Sequence, residues 1–317
     1  MKKFFSWVLI LIFAISYGFC QCGFELDVYS GIKNSEISKS IYYESTQTKV
    51  SHLKWTQDII PVAGVNLSFN AADFFVKTNL IVAIPMEAGS MYDSDWNLYG
   101  INKTYSISKC DTIYDFSGVV ELNYAFHLAN GLSLSPVLQA EYHYNEFKAH
   151  DGYGWYGGHE YAKVPRDYDV SWDNELARKA KKIAQIDYFR HSVFVFTGLE
   201  VGYNFTEKFG LKSSFKIAPF TYMYSMDTHH RVSNPNTHYV EIQTGNFSKF
   251  KLEIEPSYKL NPKICLYMNF STIFGKEDYG DLYHDFYFEK ISKAEDQPSG
   301  ANYRSFTLVC GATFTIR

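Results

Sequence analysis

Past Phe19 the chain has no uninterrupted apolar run of the about 18 residues that a helical membrane span requires, so no transmembrane helix is expected in the body of the protein. Helical periodicity is almost absent as well, which excludes an α-helical fold. Cysteine is scarce and badly spaced for chemistry. Cys20 and Cys22 sit near the N-terminus, and Cys110, Cys265 and Cys310 are scattered without Cys-x-x-Cys or metal-ligand spacing. The spacing offers no zinc site, and these thiols are expected to pack singly rather than to form a disulfide framework. The net charge is only −4 with no basic domain, which argues against a nucleic-acid partner. No Pro-, Ser- or Gly-rich linker divides the 317 residues, so one domain is expected.

The N-terminus has targeting character. Lys2 and Lys3 precede an apolar run from Phe4 to Phe19, and small residues follow at Gly18, Cys20 and Gly23. That order predicts a secretory signal over residues 1–22, with residues 23–317 as a single domain. A single N-terminal anchor is the alternative.

Aromatic residues make up 18% of the chain, nearly all Tyr and Phe, and apolar and small polar residues alternate along much of it. Leu132–Ser135, Val193–Tyr203 and Leu308–Ile316 are strands by this pattern. Turn signals alternate in kind. Short connections fall at Asn70–Asp73, His127–Gly131, Thr206–Lys208 and Leu260–Pro262. Longer polar stretches fall at Ser45–Lys49, Ser90–Lys109, Gly157–Lys179, Val232–Asn236 and Asp285–Ser299. Ten strands result, at roughly 24–44, 48–69, 74–90, 110–127, 132–156, 180–205, 209–231, 237–259, 263–284 and 301–317. An even strand number, short turns at one end, long loops at the other and a secretory signal predict an all-β, ten-stranded antiparallel transmembrane β-barrel of the outer membrane. Crossing lipid needs about 9–11 residues per strand, so longer strands predict a barrel projecting well above the membrane. At ten strands the lumen should be filled by side chains, which disfavours a pore. A soluble β-sandwich or secreted barrel is the alternative architecture.

Within that frame two i, i+2 pairs carry chemistry: Asp93 with Asp95, and Asp227 with His229. On a strand this spacing puts both side chains on one face, about 6.6–7 Å apart. One pair falls beyond the third strand and the other at the end of the seventh, both at the long-loop end and on walls that can oppose each other. A carboxylate couple facing a carboxylate–imidazole couple can hold and deprotonate a water. His229 would be the general base oriented by Asp227, and Asp93 and Asp95 would share a proton. No Gly-x-Ser-x-Gly or Cys–His signature offers a protein nucleophile. In the seventh strand Leu211, Phe215 and Ile217 share parity with Asp227 and His229, whereas Phe220, Tyr222 and Tyr224 take the other parity. A bulge near Pro219 would reconcile the two sets.

His143, His150 and His159 cluster around the third long loop but match no metal motif, and no metal or cofactor is expected. Arg178, Lys179, Lys181 and Lys182 read as a solvated rim, with anionic lipid as the functional alternative.

These residues resemble the omptin family of ten-stranded outer-membrane endopeptidases. Met91-Tyr92-Asp93-Ser94-Asp95-Trp96 is similar to its Asp-x-Asp-Trp motif, and Ser225-Met226-Asp227-Thr228-His229 to its Asp-x-His motif. Val50–Trp55 resembles the opening of its second strand, and Asp111-Thr112 a landmark after its second loop. The resemblance implies peptide-bond hydrolysis of the aspartic type, with Asp93, Asp95, Asp227 and His229 as catalytic residues, polypeptide substrates, a monomer and an active site facing outward.

Two departures accompany it. The family holds basic substrate side chains with acidic groups in a deep pocket. Counting along the chain puts those positions at Ser38 and Ser225, with Trp96 as a further candidate for the substrate cleft. Neither serine is acidic, and Glu36 stands two residues from Ser38. The family's lipopolysaccharide pattern, Tyr-x-Glu-x-Arg, survives only at Tyr142 in Tyr142-His143-Tyr144-Asn145-Glu146. Outer-membrane lipid is the expected surrounding, with lipopolysaccharide left open. A catalytically silent barrel acting as adhesin or structural surface protein is the competing function.

Overall fold

A computed structural model describes residues 22–43, 47–96, 102–156, 181–182, 185–230, 236–285 and 290–316. Residues 1–21 of the expected signal segment, Arg178, Lys179 and His159 lie outside the described residues. Ten antiparallel staves follow in chain order: β1 (Cys22–Tyr43), β2 (Thr48–Ala71), β3 (Phe74–Ala83 and Met86–Trp96), β4 (Asn102–Tyr124), β5 (Leu132–Tyr156), β6 (Ile186–Asn204), β7 (Phe209–His229), β8 (Thr237–Gly245 and Lys249–Asn261), β9 (Ile264–Gly275 and Asp278–His284) and β10 (Ser299–Ile316). Each pairs with its sequence neighbour, and β1 pairs with β10 from Phe24↔Ile316 to Ile41↔Ser299, so the sheet closes on itself. Closure leaves no free edge, the condition a sheet must meet in lipid.

Two expected boundaries move. β3 continues to Trp96 and β4 begins at Asn102, so most of the Ser90–Lys109 stretch read as a loop is paired strand. The short turns stand as expected. Ala72 takes a φ of 53° in the tight turn between β2 and β3, and residues Ala129–Gly131 form a single 3-10 turn before β5.

Outward faces change character along the barrel. Near the short turns, Val28, Val65, Leu80, Leu138, Leu199 and Phe215 are exposed and form an apolar belt. Tyr124, Phe126, Tyr203, Phe209 and Tyr258 border it below, and Tyr114, Phe220 and Phe247 above, as lipid-facing strands with aromatic girdles require. At the upper border the ladder breaks repeatedly. Register shifts fall at Lys33/Ser35, Glu87/Ser90, Thr112/Tyr114 and Ile217/Phe220, and β8 and β9 are interrupted at about the same height. Bulges bend strands and change side-chain facing, and here they mark where the barrel leaves the apolar belt.

The lumen is filled rather than open. Level with the belt, Lys216 pairs with Glu253 at 2.5 Å and Glu121 at 2.7 Å, and Lys33 with Asp115 at 2.7 Å. Charges this deep persist only because each meets an opposite charge. Beside them is a cavity of about 190 Å³ lined by polar and charged groups such as Lys77, Glu141 and Lys251. Higher up the interior is aromatic. Trp55, fully buried, stacks on Tyr188 with ring centroids 5.3 Å apart and on Phe147 at 5.8 Å.

Candidate active site

The third stave supplies one wall of the cleft. Gly89 has a φ of +95°, and a Cβ there would lie 2.0 Å from the Thr56 carbonyl oxygen, so this bulge admits only glycine. The Ser90 amide donates to Thr56 Oγ1 at 3.0 Å and pins the bulge to β2. Above it, Asp93 pairs with Leu53 and Ser106, and Asp95 with Ser51 and Thr104. Both carboxylates are therefore held on a strand flanked on both sides, with the Trp55 stack beneath. This is a stiffer mount than a loop would give.

The seventh stave supplies the opposite wall. The irregularity at Ala218–Pro219 resolves the parity conflict in the sequence. Below it Phe215 is exposed and Lys216 is buried; above it Phe220 is exposed while Thr221, Met223, Ser225 and Asp227 are buried. The inserted residue thus turns the Asp227 face inward. Asp227 pairs with Tyr188 of β6 and Tyr239 of β8, and only 1% of its surface is exposed.

Asp227 Oδ2 is met by a hydrogen-bonding imidazole and by an ion-paired ammonium. His229 Nε2 lies 3.3 Å away, and the ammonium of Lys39, reaching across the lumen from β1, lies 2.5 Å away. The tautomer that donates Nε2–H to Asp227 keeps Nδ1 as the basic nitrogen. Lys39 Nζ also meets Glu241 Oε1 at 3.0 Å and lies 5.2 Å from the Tyr239 ring centroid. The His229 ring also packs against Tyr239, with ring centroids 5.1 Å apart.

The charges on the two walls act on each other. Burial, and then the neighbouring Asp95 charge, push Asp93 up to about 7, against the pull of His229 and Lys39. Burial alone would push the His229 imidazole down; the Asp227 carboxylate overcomes it, and Asp93 adds to the rise. Burial also works against ionised Asp227, and Lys39, followed by His229, holds its carboxyl below the usual range. Both Asp93 and His229 are raised by their surroundings, and perturbed titratable groups that act on one another mark a candidate acid–base site.

Of the expected site residues, the structure gathers Asp93, Asp227 and His229 into one set of interacting charges, with Asp95 acting on Asp93. Ser225 is fully buried on the inward face, where its hydroxyl donates to Glu241 Oε2 at 3.4 Å. Ser38 is differently placed. Inward parity on β1 runs through Lys33, Ser35, Ile37 and Lys39, and Ser38 meets the interior through its carbonyl, which accepts from Arg190 Nη2 at 2.9 Å. The inward position beside the dyad belongs to Lys39, one residue on from the counted one. Glu36 faces outward toward Arg304, 4.0 Å away. Trp96 is buried beyond a register shift that follows Asp95.

Lys39, Glu241 and Arg190 were not singled out from the sequence. The one available signal was two lysines, Lys33 and Lys39, at inward positions of an otherwise small and apolar face. Of the histidines, His143 lies inside the lumen against Glu141 at 2.9 Å rather than near a loop tip. His150 is on the outer wall, where its nitrogen and carboxylate oxygens of Glu87 and Asp111 lie within 4.8 Å of one another. Lys109 already pairs with Glu87 there, at 3.1 Å. Cys110, Cys265 and Cys310 are free thiols, as their spacing implied.

Comparison with solved structures gives the outer membrane protease OmpT from Escherichia coli, with a TM-score of 0.78 at 16% identity, covering 93% of this chain and 97% of that one. The outer membrane protein OprG from Pseudomonas aeruginosa covers 92% of this chain and 96% of its own at 9% identity, with a TM-score of only 0.34. The translocator domain of the autotransporter NalP from Neisseria meningitidis covers 95% and 92% at 10% identity, with a TM-score of 0.35. No curated protein sequence matches the chain. The model of the omptin family matches residues 21–316, nearly the whole chain, and the protein belongs to that family.

Proposed function

We propose that this protein is an outer-membrane endopeptidase of the aspartic type, its active site facing the extracellular side. What supports the reading is the placement of the raised Asp93 on β3 and the Asp227–His229 dyad on β7 near enough for their charges to act on each other. A polypeptide laid between the walls has its scissile carbonyl bounded by an acid on one side and a base on the other. His229 takes a proton from a water, and the hydroxide forms the new bond to the carbonyl carbon. The Asp93–Asp95 couple, holding one proton between two carboxylates, hydrogen-bonds and neutralises the tetrahedral oxyanion. The C–N bond then breaks as imidazolium His229 returns its proton to the leaving amine. Asp227 orients the ring and stabilises its charged form throughout.

The location follows from two features at opposite ends. The apolar belt lies toward the short turns, so outer-membrane lipid surrounds that half, and the dyad lies at the other end. The test is cleavage of quenched peptides by the purified protein in detergent. Wild type should cleave, and Asp93→Ala combined with Asp95→Ala should be near background while remaining a folded barrel. A folded wild-type protein that cleaves no peptide would favour the catalytically silent surface barrel instead.

A further inference from the structure

An extended peptide in this cleft alternates its side chains, so one flanking the scissile bond points down into the barrel while its neighbours point up. Beneath His229 that descending side chain meets two carboxylates, Asp227 and Glu241, exposed to 1% and 0%. Two buried carboxylates on adjacent strands would make a strong seat for a substrate ammonium or guanidinium. That seat is already taken. The Lys39 ammonium touches both, at 2.5 and 3.0 Å, is itself 2% exposed, and is covered by the Tyr239 ring. A second cation lies below. Arg190, fully buried, donates to the Asn302 and Ser38 carbonyls at 2.7 and 2.9 Å, and no ion pair to a carboxylate is found for it among the described residues.

We propose that Lys39 is a specificity-determining residue, a built-in occupant of the cation seat, so that the enzyme cleaves beside uncharged side chains and rejects lysine and arginine there. The inference rests on the endopeptidase reading. A substrate cation entering the seat would face Lys39 at contact distance in a buried setting, where like charges repel strongly. An acidic side chain would face Asp93, Asp95, Asp227 and Glu241 around the same opening. A neutral side chain meets neither penalty, since the two cations and two buried carboxylates below it balance.

The experiment is a quenched-peptide library varying the residue on each side of the cut, run on wild type and Lys39→Ser. Wild type should prefer uncharged residues at one flanking position. Lys39→Ser, which vacates the seat and leaves its two carboxylates, should raise cleavage at Lys or Arg relative to uncharged residues by at least about 100-fold, the scale on which a buried polar site discriminates. Butylammonium, a free mimic of the lost side chain, should compete with basic substrates in Lys39→Ser and leave wild type unaffected. Wild-type preference for Lys or Arg at both flanking positions overturns the inference even if the variant fails to fold, as does a folded Lys39→Ser with unchanged preference. Absence of any cleavage by folded wild type is a different result, because it overturns the endopeptidase reading itself.

Discussion

Asp227→Asn tests the dyad most directly, because the structure separates its effect on chemistry from its effect on folding. The side chain is buried and isosteric, and Lys39 keeps Glu241 as an ion partner at 3.0 Å, so no buried ammonium is left alone. The barrel should fold. Two things change at His229. The hydrogen bond at 3.3 Å loses its charged acceptor, which frees the ring to turn or to take the other tautomer. The imidazolium formed when water is deprotonated also loses the carboxylate that offsets its burial. In a Ser-His-Asp site the same change costs about 10⁴ in turnover. Here the acceptor bond is longer and Asp93 still favours the imidazolium, so the expected loss is about 10²–10⁴ in kcat, or about 3–5 kcal/mol of transition-state stabilisation. The assay is quenched-peptide turnover in detergent, at several pH values, with barrel folding checked by resistance to unfolding in cold detergent. Turnover within about threefold of wild type would refute the assignment of Asp227.

The pH profile of kcat/KM should be a bell near neutrality. Loss of the His229 proton, held above the usual imidazole range by Asp227, and loss of the Asp93 proton, near 7, fall in the same region, so the bell should be narrow. The charged groups facing them are Asp95, Asp227 and Lys39. Asp95→Asn removes the like charge that helps raise Asp93, so the limb governed by Asp93 should move to lower pH; an unchanged profile would show that Asp93 is not the acid. Trp55→Ala removes a fully buried indole that packs against Tyr188 and Phe147, at a cost of about 3–5 kcal/mol by thermal or denaturant unfolding. Because Trp55 lies two residues from Leu53, the partner of Asp93, kcat should fall as well; full activity would show that the stack does not position the couple.

Much of this barrel was legible from one dimension. Strand identity follows from side-chain alternation, and the ten-stave order from turns that are short at one end and long at the other. The bulge at Pro219 was legible too, because two apolar sets on one strand cannot both face lipid unless a residue is inserted between them. Asp93, Asp95, Asp227 and His229 could be picked out because their i, i+2 spacing fixes a shared face whatever surrounds it. The extent of β3 was not legible. Its upper half is polar because it stands above the lipid, and polarity in a sequence looks the same in a solvated strand and in a loop.

What only the tertiary structure decided is the company these residues keep. Closure of the sheet brings β1 across the lumen from β7, and that puts the Lys39 ammonium 2.5 Å from a carboxylate 188 residues later in the chain. Counting from Trp55 put Ser38 at the pocket, but that count crosses the β1–β2 turn, and the register shift at Ile41/Tyr42 beside it is invisible in a list of residues. A one-residue error inverts a strand's faces. Sequence by itself determined which residues could do the chemistry. The closed barrel decided that a lysine, rather than a serine or a glutamate, lies beneath it, because facing and distance across a lumen are set by register and ring closure, not by neighbours along the chain.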